Sequence, residues 1–182
     1  MRRAFLGRFA CFLGLGLSSS FAMPRVVLWD VDGTLVDSTL LSWSSTNVVL
    51  QRHGYKAVSE AQYEEGARFE TPKRMAYHAT GDPHAVDVGL RLARDFDDHY
   101  VQLVSMDSVP LYPGLKELIT ELAEQGVVLG ALSNACGAYV RAVLKAHGYE
   151  ELFKVQLGAD EVPRAKPGPD GLLKCCQPLG TS

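Results

Sequence analysis

Asp30-Val31-Asp32-Gly33-Thr34-Leu35-Val36-Asp37-Ser38 decides the reading of this chain. It follows Arg25-Val26-Val27-Leu28-Trp29, a short apolar, β-branched run that reads as a buried strand. Two carboxylates, two residues apart, therefore stand where a strand ends and the chain turns at Gly33. Alternation along a strand puts residues i and i+2 on one side, so Asp30 and Asp32 can converge on one point. An acidic loop that keeps water at a strand end would carry the same two acids. The rest of the string and of the chain must separate the two.

Outward from that stretch, Ser38 to His53 is polar and weakly helical and ends at Gly54, a good residue to close a helix. Leu41 and Val48 share one of its faces. Residues 60–83 mix charge with Gly66, Pro72, Gly81 and Pro83, the pattern of short helices and turns. Asp87 to Val104 repeats Leu92, Phe96, Tyr100 and Leu103 at helical spacing. Tyr112-Pro113-Gly114 then opens a helix with Leu115, Leu118, Ile119 and Leu122 on one face, closed by Gly126. Val127 to Leu132 is an unbroken apolar strand, as a parallel sheet covered on both faces demands. A helix carrying Val140, Val143 and Leu144 ends at Gly148, and Phe153 to Leu157 is a third strand. Strand, helix, strand, helix, strand predicts an α/β fold with a doubly wound parallel sheet. Ligands of such sheets bind outside the carboxyl ends of the strands. Asp30, Ser133-Asn134 and the loop with Lys166 all fall on that edge.

The chain of 182 residues, 47% of them hydrophobic, has room for one domain with a modest insertion and a real core. A net charge of −3 and the lack of a basic run argue against a nucleic-acid surface. Cys11, Cys136, Cys175 and Cys176 have no metal-ligand spacing with histidines and read as free thiols of a reducing compartment. His53, His78, His84, His99 and His147 form no ligand set and read as structural or surface groups. Residues 1–22 differ in kind: Arg2, Arg3 and Arg8, no acid, an apolar run from Phe9 to Leu17, then small residues. The run is too short to span a bilayer. A secretory signal, an organellar transit peptide (mitochondrion or plastid) and an upstream extension before Met23 all fit, leaving secreted, organellar and cytoplasmic locations open. Without those arginines, 15 basic residues face 21 acidic ones. The body must overcome that charge locally wherever an anion binds.

The opening string resembles the D-x-D-G-T-L-x-D-S signature of the haloacid dehalogenase-like (HAD) hydrolase superfamily, and the chain resembles its capped, phosphoglycolate phosphatase-like branch. The resemblance implies a Rossmann-like core over residues 23–38 and 110–182, with a helical cap inserted over 39–109. It implies a phosphatase acting on a small phosphorylated metabolite, phosphoglycolate or a sugar phosphate, with Mg²⁺ as cofactor. Asp30 would attack phosphorus and form an aspartyl-phosphate. Asp32 would protonate the leaving alcohol and deprotonate the attacking water. A family member that dehalogenates lacks this second carboxylate, so Asp32 favours phosphoryl chemistry. Gly33 would let the backbone turn closely around the phosphate, and Thr34 would fix the loop. Ser133, with Asn134 beside it, matches the second motif, a hydroxyl that donates to a phosphoryl oxygen. Lys166, within Lys166-Pro167-Gly168-Pro169-Asp170, matches the third, its ammonium offsetting the charge of Asp30 and the phosphate. The Asp30 carboxylate and the Asp32 main-chain carbonyl are the implied metal ligands. Arg68, Lys73 and Arg74 flank a turn where capped relatives place substrate contacts. Arg68 and Lys73 are the candidates taken from it, and solvated charges at a helix end remain an equal reading.

One part of the family pattern finds no match. The fourth motif, Gly-Asp followed by a further Asp after one more strand, is absent, and after Lys166 the one acid is Asp170. The sequence therefore reads as truncated at its C-terminus, from a splice form, a shortened gene model or a minimal relative. The expectations that follow are an unpaired edge on the first strand, weak Mg²⁺ binding and low activity. A catalytically inactive binding or regulatory protein is the alternative, and a mutase of the same family a near neighbour. Oligomeric state is not legible.

Overall fold

Val26–Trp29 forms the first strand (β1), and its last residue delivers the chain to Asp30 at the carboxyl end. A computed structural model of the protein describes residues 25–176. The leader reading of residues 1–22 lies outside them. Beyond Asp30 the chain folds back on itself: the N–H groups of Leu35 and Val36 both donate to the Val31 carbonyl, at 2.9 and 3.1 Å. Gly33 takes φ 71°, a conformation open to a residue without Cβ. Val31, Leu35 and Val36 are fully buried and anchor the turn.

Four helices follow before the chain returns to the sheet: Thr39–Arg52 (α1), Glu60–Gly66 (α2), Thr71–Thr80 (α3) and Val86–Gln102 (α4). Ser59 and Gln62 make a reciprocal capping box at the start of α2, and Gly81 closes α3 in the left-handed conformation. Helices α3 and α4 cross at Gly89, where a Cβ would come 2.4 Å from the Pro72 carbonyl oxygen. Buried Leu92, Phe96 and Tyr100 lie along α4, as its periodicity predicts. Leu103 departs from that expectation: it follows the last helical residue and is 43% exposed. The inner face of α1 is also not the one its apolar residues mark. Ser42, Ser45, Thr46, Val49 and Leu50 are buried there, while Leu41 and Val48 are half-buried. Its first turns look toward a polar cavity, so apolar spacing does not find their inward side.

Leu115–Glu124 (α5), Val128–Leu132 (β2), Gly137–Ala146 (α6), Phe153–Leu157 (β3) and Asp170–Cys176 (α7) complete the described fold, with a short 3-10 turn at Ala159–Glu161. The strands run parallel in the order β1-β2-β3, with Leu28, Gly130 and Val155 in register. On one face Leu129, Ala131 and Phe153 join Ile119 of α5 and Val140, Val143 and Leu144 of α6. On the other, Leu132 and Val155 pack with Cys175 of α7. Each fully buried aliphatic side chain here contributes about 1.5–3 kcal/mol. The architecture is the expected α/β one, a parallel sheet flanked by helices. Among the described residues β1 pairs on one side, with β2, and no helix is long and apolar enough to cross a membrane.

Candidate active site

The ends of β1 and β2 and the loop after β3 converge on one cavity of about 390 Å³, with the inserted helices on its far wall. Asp30, at the end of β1, is half-exposed, and its Oδ1 accepts from the Val31 N–H at 2.8 Å. The same oxygen accepts from Lys166 Nζ at 2.6 Å. Lys166 reaches it from the loop after β3, and its ammonium also donates to the Leu132 carbonyl at 2.9 Å, at the end of β2. Asn134 fixes that loop by its main chain. Its Nδ2 donates to the Lys166 carbonyl at 2.9 Å, and its Oδ1 accepts from the Lys166 N–H at 2.8 Å. The lysine is thus aimed by bonds that its side chain does not make.

Asp32, two residues on, is more enclosed and takes three hydroxyl donors. Ser38 Oγ and Tyr139 Oη donate to Oδ1 at 2.6 and 2.7 Å, and Ser133 Oγ donates to Oδ2 at 3.0 Å. Ser38 stands at the N-cap of α1 without capping it, because its hydroxyl is committed to Asp32. Ser133 is itself buried and accepts from the Ala135 N–H at 3.0 Å. Tyr139 is fully buried; burial, and then the charge of Asp32, hold its phenol well above the ordinary tyrosine range. Tyr100 of α4 stacks on it at 4.5 Å between ring centroids, and Phe96 stacks on Tyr100 at 4.8 Å. Burial, and then Asp32, raise Tyr100 as well.

The residues singled out in the sequence divide in two. Asp30, Asp32, Gly33, Ser133, Asn134 and Lys166 all line the one cavity. Thr34 is exposed, and its N–H closes on Val31. Arg68 and Lys73 do not line this cavity but an adjoining one that Lys166 also borders; Arg68 lies over the Phe69 ring at 4.8 Å, and Lys73 pairs with Glu70 at 2.8 Å. Their neighbour Arg74 lines the cavity that holds Asp30. One residue further along α3 turns it about 100°, onto the side that faces α4 and the cavity. Its guanidinium lies 4.9 Å from the Phe96 ring centroid and 5.6 Å from that of Tyr63, a cation–π arrangement. Its Nε is buried without a partner among the described residues. Ser42 and Tyr63 share a very short hydrogen bond on the same wall. Sequence spacing places Tyr100 on a core-facing helical stripe, not at the site, and does not single out Tyr139. The one trace in the sequence is an aromatic with a polar tip on the Val140–Val143–Leu144 side of its helix, which reads as core.

A second cavity of about 310 Å³ lies beside the first, between α3, α4 and the loops after β2 and β3. Asp97 borders it, pushed up to about 6 by burial. Cys136 also borders it, its thiol pushed up to about 12 by burial and then by the charge of Asp97. The histidines take structural places: His53 pairs with Asp95 at 2.8 Å, and burial lowers His78 to about 4, beside the Tyr63 ring.

The groups at the strand end that could face a cation are the oxygens of Asp30 and Asp32. That suits a hard, water-rich ion such as Mg²⁺, which is held by one or two carboxylates together with substrate phosphate. Among the described residues, no three carboxylate, histidine or cysteine side chains cluster closely enough to enclose a metal by themselves.

Comparison with known proteins agrees with this geometry. The family model described as haloacid dehalogenase-like hydrolase matches residues 27–182. The chain is 29% identical over 152 residues to phosphoglycolate phosphatase of Vibrio cholerae, covering 81% of this chain and 67% of that enzyme. It is also 29% identical over 160 residues to N-acetylmuramic acid 6-phosphate phosphatase of Pseudomonas aeruginosa, covering 86% and 68%. Among solved structures, CbbY from Rhodobacter sphaeroides in complex with phosphate superposes with a TM-score of 0.74 at 26% identity, covering 87% of this chain and 74% of that one. A strand-end pair of aspartates, the lysine that reaches back to the first of them and a matching family model over most of the sequence lead to one statement: the chain belongs to the haloacid dehalogenase-like hydrolases.

Proposed function

We propose that the protein hydrolyses a small phosphorylated metabolite, of the phosphoglycolate or sugar-phosphate kind, through a phosphorylated Asp30. The observation that carries this reading is the 2.6 Å contact of Lys166 Nζ with Asp30, beside a second carboxylate held by three hydroxyls. A phosphate monoester repels an anionic nucleophile, so attack requires a positioned carboxylate with positive charge beside it. Lys166 supplies that charge and holds Asp30 by Oδ1. The carboxylate attacks phosphorus; the bond to the leaving oxygen breaks, and Asp32 gives that oxygen its proton. Water then attacks the phosphorus of the aspartyl-phosphate, Asp32 takes a proton from it, and the bond to Asp30 breaks to free inorganic phosphate. Ser133 and Asn134 hold the phosphoryl oxygens or the loops that meet them. Mg²⁺, held by the Asp30 carboxylate and the Asp32 carbonyl, would neutralise charge on the phosphoryl oxygens.

Helices α1 to α4 form the cap of this reading, and selectivity resides there. Arg74 and Tyr100 each present a buried polar atom with no protein partner among the described residues, on the wall facing Asp30. A second polar or anionic group on the substrate meets them. Phosphate binding without turnover is the competing reading, favoured by the sparse set of metal-binding side chains. The test is phosphate release from p-nitrophenyl phosphate and 2-phosphoglycolate by the full chain, with and without Mg²⁺, beside Asp30→Asn. Metal-dependent release lost in the variant supports catalysis. Binding of phosphate with no release supports the competing reading.

A further inference from the structure

Tyr139 is buried, so its hydroxyl needs a polar partner, and the one it takes is the second carboxylate of the site, Asp32. Its ring is fully buried on α6 and stacked against Tyr100, so its position cannot follow another partner. Its hydroxyl donates to Oδ1 of Asp32 at 2.7 Å, and Ser38 donates to the same atom at 2.6 Å. A carboxylate oxygen has two lone-pair directions, and on Oδ1 both are taken. On Oδ2 a single donor is present, the hydroxyl of Ser133 at 3.0 Å. The second lone-pair direction of Oδ2 has no protein donor among the described residues, and a proton placed there points away from Ser133. The terminal torsion of an aspartate is broad and roughly two-fold. Nothing in the residue itself decides which oxygen faces the reacting group.

We propose that Tyr139 is a positioning residue: by anchoring Oδ1 it fixes the Asp32 carboxyl so that Oδ2 carries the transferable proton toward the leaving oxygen. The proposal rests on the reading of Asp32 as the proton donor. In the step it serves, the Asp30–phosphorus bond forms and the bond from phosphorus to the leaving oxygen breaks. The leaving oxygen keeps the electron pair of the broken bond and receives the proton from Oδ2. Without Tyr139 the carboxyl is held on that side by Ser38 alone, and the proton is presented in more than one direction.

The experiment compares two leaving groups in Tyr139→Phe, a change of one atom that keeps the stack on Tyr100. p-Nitrophenolate departs without a proton, whereas the alkoxide of 2-phosphoglycolate requires one. General acid catalysis is worth about 10²–10⁴-fold, so a misdirected acid should lower kcat/KM for 2-phosphoglycolate about tenfold and for p-nitrophenyl phosphate by no more than about twofold. A tyrosine that only fills the core would move both substrates together. An equal fall on both, or no fall on either, overturns the proposal alone, provided that Asp32→Asn shows the leaving-group discrimination in full. An Asp32→Asn variant without discrimination, or a wild-type chain that hydrolyses neither substrate, overturns the underlying reading and the proposal with it. Circular dichroism checks the fold of Tyr139→Phe. Should that variant unfold, Ser38→Ala removes the other donor to Oδ1 and must shift the substrate ratio in the same direction, or the anchoring role falls.

Discussion

The two walls of the cavity are built on opposite terms. On the strand-end wall, Asp30, Asp32, Ser133, Asn134 and Lys166 bond one another and their own main chain. On the helical wall, Arg74 Nε and Tyr100 Oη are buried without hydrogen-bond partners among the described residues. A buried polar atom left unpaired costs about 1–3 kcal/mol. One wall is therefore assembled before any ligand arrives, and the other holds polar groups that a ligand can satisfy. Under the proposed function, the chemistry common to many substrates falls to the first wall and discrimination among them to the second.

That contrast can be broken most directly at the strand ends. Asp30→Asn should reduce phosphate release to background, and Lys166→Met, which keeps the stem and removes the charge, should lower kcat by about 10²–10³-fold. If either variant turns over normally, the strand-end wall is not the catalytic one. On the helical wall, Arg74→Ala removes a charged donor, a contact worth about 1.5–3 kcal/mol. It should raise KM for an anionic metabolite roughly tenfold or more and change kcat for p-nitrophenyl phosphate little. Steady-state kinetics on both substrates separates the two effects, and an equal loss of kcat on both would erase the division between walls.

Smaller effects sharpen it. Gly89→Ala places a methyl against the Pro72 carbonyl oxygen and should destabilise the α3–α4 crossing by about 1–3 kcal/mol. Denaturant unfolding reads that cost, and Asp30 and Lys166 should keep their mutual contact. Asp97 gives a pH dependence confined to the helical side. The fold holds its proton up to about pH 6 against an ordinary value of 3.8. Between those values the folded state binds the extra proton, so stability falls as pH rises through that window. Asp97→Asn should flatten the fall and leave the protein more stable at pH 7 by about 2 kcal/mol. Melting temperatures at pH 4 and pH 7 measure both.

The same two walls explain how much was legible in the sequence. The three strands, α5 and α6 follow apolar runs and helical spacing that face apolar cores, and the strand-end residues fall within short strings. The helical wall yields less to such reading. Whether Lys73 or Arg74 enters the cavity depends on the rotation of α3, which its packing on α4 sets. The inward face of α1 begins with Ser42, which lines the polar cavity, and continues with the buried hydroxyls of Ser45 and Thr46, so a search for apolar stripes marks Leu41 and Val48 instead. Tyr139 sits where a core residue is expected, and its bond to Asp32 spans 107 positions of sequence.

Asn134 grips residue 166 through its peptide groups alone, in a two-point pairing much like that of nucleobases. Scaffold and reagent are therefore separable at this position. Any residue but proline there keeps both peptide groups, so arginine, histidine or an unnatural amine could be installed as interchangeable heads on one mount. For an engineer, position 166 is a socket.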